Sequence, residues 1–245
     1  MNVTNRRSGF TLVELLVVIG ILGILSAALF PAIGSAVLKA NMTAVATRGK
    51  DIYVGIVSAN TEREPLGLGH VWPRNTLGTS DTTDPITGNV DTSSKYFDYL
   101  FDMQNSGTEA WAPYVQGLDP SKLAGAGVKA IKSGDKTIKK ENNMWTIAAD
   151  ILDETEDIIP ILVTRNFDES NFITTGSGES LSAERVTKWW KDGADYKSPF
   201  NNKGFVMVRK GGATINLTSR YVTKAIIYNE QVVNLGTPGI KYLMP

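Results

Sequence analysis

The chain contains no cysteine. Disulfides and thiolate metal ligands are therefore excluded, although an exported domain can do without them, so the compartment stays open. A single histidine, His70, removes His-centred catalytic triads and multi-histidine metal sites, and reads as a loop residue. Charge of neither sign is in excess: Lys plus Arg number 25 and Asp plus Glu number 25. That balance argues against a general nucleic-acid binder while leaving room for a local patch. Gly176-Ser177-Gly178 lacks the strand and the surrounding glycine frame of a nucleophile elbow. What the 245 residues do have is apolar side chains, 42% of the total, with a dense run near the amino terminus.

That run begins RRSGFTLVELLVVIGILGIL, from Arg6 to Leu25, and no residue from Leu15 to Leu38 is charged. It is long enough to cross a bilayer as one helix. Glu14 stands at its head, where a carboxylate costs up to ~2.5–3.5 kcal/mol if carried to the bilayer centre, and less near the end. No Lys or Arg lies within the run to pair with it, which marks Glu14 as a functional position. A cleaved secretory signal would use Arg6 and Arg7 as its basic flank and Ser26-Ala27-Ala28 as its small-residue site, but the apolar run continues well past them. A plain membrane anchor accounts for the length and leaves Glu14 unexplained.

Gly9-Phe10-Thr11-Leu12-Val13-Glu14 followed by an apolar stretch resembles the class III signal of type IV pilins and type II secretion pseudopilins. The resemblance implies cleavage between Gly9 and Phe10 by a membrane aspartyl prepilin peptidase, then N-methylation of Phe10 by the same enzyme. Cleavage would supply the missing partner, a fresh ammonium at Phe10. Positions 10 and 14 share a helical face, and a neighbouring subunit's Phe10 can approach Glu14 equally well. In low dielectric the pair is favoured over two isolated charges, which makes Glu14 a candidate register key for assembly. Pro31 falls where this family commonly carries a helix-loosening proline. The resemblance covers only about thirty residues.

Arg6 and Arg7 beside the span place the leader in the cytoplasm and the carboxyl-terminal domain outside the inner membrane. The expected division is 1–9 leader, 10–38 membrane-spanning and assembly half of the helix, and 39–245 globular domain. Roughly 200 residues remain after the span, enough for one core. Leu38, Met42, Val45, Gly49, Ile52 and Ile56 continue the helix as an amphipathic stripe, with Lys39, Thr43, Thr47 and Lys50 on the other side. Gly49 and Gly55 each weaken a helix by ~1 kcal/mol, which predicts close packing against them. Pro65 and Gly67-Leu68-Gly69 should end it.

Beyond, 144–150 (MWTIAAD) and 158–164 (IIPILVT) read as strands, the second near an edge because Pro160 cannot donate. Residues 204–209 and 213–217 form a hairpin across Lys210-Gly211-Gly212. SKYFDYLFDM (94–103) and SAERVTKWWKD (182–192) read as short helices. The fold class is α+β: a long amino-terminal helix on a small antiparallel sheet, the arrangement expected of pilin-like proteins.

Asp81, Asp84 and Asp91 flank Pro85 and Gly88 in an oxygen-rich loop of calcium-binding composition, but turn chemistry alone explains them. Asp153, Glu154, Glu156 and Asp157 form an acidic cluster read as a solvated loop. Lys122, Lys129, Lys132, Lys136, Lys139 and Lys140 make a basic segment with little aromatic interleaving, better suited to contact between subunits than to DNA. Trp189-Trp190 offers a sugar platform, or one ring for the core. The expectation is a structural, non-enzymatic pilin or pseudopilin subunit without cofactor. Its partners would be prepilin peptidase, other subunits, the inner-membrane assembly platform and the membrane. The alternative is an extracytoplasmic sugar- or DNA-binding module that borrows this anchor.

Overall fold

The computed structural model describes residues 10–74, 90–103, 115, 118–151, 155–171, 186–223 and 240–245. Two compact units emerge, 1–41 and 42–245. Helix α1 (Leu12–Arg63) contributes to both.

In the first unit every described side chain from 10 to 37 is exposed. The backbone remains helical through Pro31. This stretch lies in a helix long and apolar enough to cross a membrane. An apolar surface of this extent is not stable in water and requires lipid or protein around it.

In the second unit the turns of α1 from 42 to 63 behave as a core helix. Met42, Val45, Gly49, Ile52 and Ile56 are buried, together with Ala46 and Ala59. The expected close packing is there: a Cβ on Gly49 would sit 2.6 Å from Trp145 Cη2 and 3.0 Å from Val208 Cγ2. On Gly55 it would sit 2.6 Å from Val115 Cγ1. The helix ends at Arg63, passes into a 3-10 turn over Glu64–Leu66, and is closed by Gly67 at φ 68°.

The sheet contains β1 (Trp145–Ala149), β2 (Pro160–Thr164), β3 (Gly204–Arg209), β4 (Thr214–Thr218) and β5 (Lys241–Leu243), in the order β4-β3-β2-β1-β5. Every neighbouring pair is antiparallel. Strands β1, β2 and β3 are buried along their whole length, so they read as apolar runs rather than as alternation. Trp145 and Val208 face α1. Phe205, of opposite parity to Val208, packs with Phe167 at 4.5 Å and Trp189 at 5.1 Å between ring centroids.

Two expectations need correction. Pro160 does not mark an edge, because β2 is the central strand. The proline is its first residue, at a register shift between Pro160 and Leu162, so its missing donor falls where the ladder with β3 is already interrupted. Residues 186–192, the described part of the expected helix 182–192, are not helical. Trp190 bridges Phe167 in extended backbone, Asp168 N–H donates to Trp189 O at 2.7 Å, and Lys191 N–H donates to Asn166 O at 3.0 Å. Alternation then sends Trp189 inward and leaves Trp190 half-buried.

Helix α2 (Ser93–Leu100), capped by Thr92, buries Tyr96, Phe97 and Leu100 as its periodicity predicts. Ser93 Oγ donates to Trp145 O at 2.6 Å, and Ser93 N–H donates to Met244 O at 2.8 Å, joining α2 to β1 and to the chain end after β5. Asp98 on α2 accepts the Ile138 N–H, and burial pushes its carboxyl up to about 6 against the partial counter-effect of that bond.

Candidate processing and assembly site

Gly9 lies outside the described residues, and Phe10 is exposed. Thr11 opens the helix: its carbonyl accepts the Leu15 N–H at 3.2 Å, which makes Thr11 the N-cap of α1 and Glu14 the third helical residue. Glu14 Oε2 accepts the Thr11 N–H at 2.9 Å and the Thr11 hydroxyl at 2.8 Å. The Glu14 N–H donates back to Thr11 Oγ1 at 3.2 Å. This is a reciprocal capping box, in which two orphan donors at the helix start are satisfied by side chains. Besides the Phe10 ammonium expected as its partner, Glu14 has this local one, which the sequence carries as Thr-Leu-Val-Glu, a Ser/Thr-x-x-Glu pattern at the head of an apolar helix. Glu14 Oε1 makes no hydrogen bond within the described residues, so one carboxylate oxygen stays open to a cation.

The calcium-loop residues Asp81 and Asp84 lie outside the described residues. Asp91 is exposed and pairs with Lys95 at 3.7 Å. Among the described residues no group of three or more His, Asp or Glu side chains is placed to hold a metal. Asp153, Glu154 and the Gly176-Ser177-Gly178 stretch are likewise outside the description. Glu156 and Asp157 belong to the turn before β2, where their carbonyls accept the Ile159 and Gly211 N–H groups. Half of the basic segment is engaged within the chain: Lys122 with Asp51 at 2.8 Å, Lys129 with Glu141 at 2.7 Å and Lys140 with Asp195 at 3.1 Å. Trp189 is only 1% exposed, which removes it from any sugar platform.

Residues 4–30 match a family described as the prokaryotic N-terminal methylation motif. That motif is the prepilin signal of type IV pilins and pseudopilins, here joined to an α+β, pilin-like architecture. Comparison with curated proteins and with solved structures gave no match. The motif supports a pilin-like substrate of prepilin peptidase, and the apolar helix that begins within it is consistent with inner-membrane anchoring. The family defined by this motif is structural rather than enzymatic.

Proposed function

We propose that the chain is a structural subunit of a type IV pilus-like or type II secretion pseudopilus filament. In this reading prepilin peptidase removes residues 1–9 after Gly9 and methylates Phe10. Residues 10–38 hold the subunit in the inner membrane and later line the filament core, and residues 39–245 stand outside the membrane. The observation that carries the reading is the match of residues 4–30 to the methylation motif, which runs into the exposed apolar start of α1.

The capping box refines the role of Glu14. Thr11 holds Oε2, which fixes the carboxylate at the helix start, and Oε1 remains for the Phe10 ammonium of an entering subunit. Loss of one partner of such a buried pair costs ~3–5 kcal/mol, on the order of a hundredfold or more in subunit affinity. Glu14→Val should therefore insert and be cleaved normally, because the scissile bond and its basic flank are untouched, but should fail to assemble. The test compares processed protein in membranes with sheared or pulled-down filaments for wild type and variant. Normal filaments from processed Glu14→Val protein would refute the assembly role.

A further inference from the structure

The globular unit contains a cavity of about 480 Å³ lined by Lys129, Lys139, Lys140, Glu141, Arg165 and Asp195, among others. Its size falls within the range of small-ligand sites. Arg165, which follows β2, is only 6% exposed. Its Nε donates to Ser198 O at 3.1 Å, and its Nη1 donates to Lys140 O and, at 3.0 Å, to Asn143 O. All three acceptors are neutral carbonyls, so the guanidinium is positioned without being neutralised. No carboxylate among the described residues lies within ion-pair distance of it. Burial holds it below its ordinary basicity, opposed in part by the Asp195 charge.

The lining side chains comprise four cations and two carboxylates. Lys129 forms an ion pair with Glu141 and Lys140 with Asp195, and the two carboxylates leave a net excess of two positive charges on the lining. We propose that this cavity binds the phosphate group of a small soluble ligand. A planar carboxylate is best held by a free guanidinium fork, and here Nε and Nη1 are already committed to carbonyls, leaving Nη2. Ammonium groups act as point charges and suit a tetrahedral dianion that presents acceptors in several directions. The excess of two positive charges matches a phosphate dianion, and a pocket of this volume, open to solvent, accommodates a sugar phosphate.

The test is titration calorimetry on the full chain in detergent micelles, with inorganic phosphate, a hexose phosphate, acetate at matched ionic strength, short-chain phosphatidic acid and duplex DNA. Lys139 is exposed, so Lys139→Gln should retain the fold, which circular dichroism verifies. Lys203→Gln, an exposed lysine away from the cavity lining, is the control. Saturable binding of both soluble phosphates, weakened about tenfold by Lys139→Gln and unchanged by Lys203→Gln, supports the site. No saturable phosphate binding, equal affinity in Lys139→Gln, or acetate binding as tight as phosphate would overturn it. Binding confined to phosphatidic acid would reassign the patch to a lipid headgroup, and binding confined to DNA to a polyanion; either result also overturns the proposal.

Discussion

Gly49 shows how one residue fixes the distance between helix and sheet. Alanine in place of a helical glycine ordinarily stabilises by ~1 kcal/mol. Here the added methyl would meet the rigid indole of Trp145 at 2.6 Å, with Val208 behind it at 3.0 Å. Overpacking of this kind costs ~1–3 kcal/mol, so Gly49→Ala should be no better than neutral and Gly49→Leu clearly destabilising. Urea unfolding followed by Trp fluorescence measures both. Gly34, whose Cβ would meet nothing within 4 Å, supplies the contrast within the lone chain. The spacing of Gly49 among buried neighbours was legible in sequence because both the stripe and the glycine are local signals. Trp145 as its partner was not, since 96 positions separate 49 from 145.

At the scale of elements, the readable pieces were those whose pattern closes on itself: the stripe of α1, the aromatic face of α2, and the β3–β4 hairpin. Strand β5 escaped because its three residues carry no period, and only β1 defines it. The strand rank of Pro160 escaped because edge or centre is decided by which distant strands arrive on either side. The tandem tryptophans misled through composition: a capped, charged segment looks helical until Phe167 and Phe205 claim one ring. Helix α2 also carries a pH prediction. The folded state holds the Asp98 proton up to about pH 6, more tightly than an unfolded chain would, with an ordinary value of 3.8. Between those limits the native state binds more protons, so this group's contribution to stability falls as pH rises, and is fully lost above about pH 7. Asp98→Asn keeps an acceptor for the Ile138 N–H and removes the titration. Relative to wild type, its melting temperature should gain more at pH 7.5 than at pH 4.5.

For the whole molecule, the division at residues 41 and 42 has a practical consequence. Among the described residues, every buried apolar side chain belongs to the second unit and none to the first. A chain beginning at Met42 should therefore fold and stay soluble without detergent, while the chain carrying residues 10–41 should require it. Size-exclusion chromatography and circular dichroism of the two forms measure this, and an unfolded short form would show that the apolar helix contributes to the core. The Arg165 cavity belongs to this scale too. Its lining comes from segments near 129, 140, 165 and 195, and no local pattern announces such a convergence.

The turns of α1 between 48 and 53 have a mechanical meaning. Arg48 Nη1 donates to Ser121 O and Ala124 O at 2.8 and 2.9 Å, Lys50 to Gly212 O at 2.6 Å, and Tyr53 to Lys210 O at 2.7 Å. Asp51 adds its ion pair with Lys122. Tension along the helix passes the buried side chains of Met42, Val45 and Ala46 and reaches this collar. There the loops at 121–124 and 210–212 share the load while Trp145 is keyed over Gly49. Bonds and knobs arranged around an axis are strained together and must fail together. A subunit dragged by its amino-terminal helix would thus resist as one clamped joint, not as a seam that peels one contact at a time.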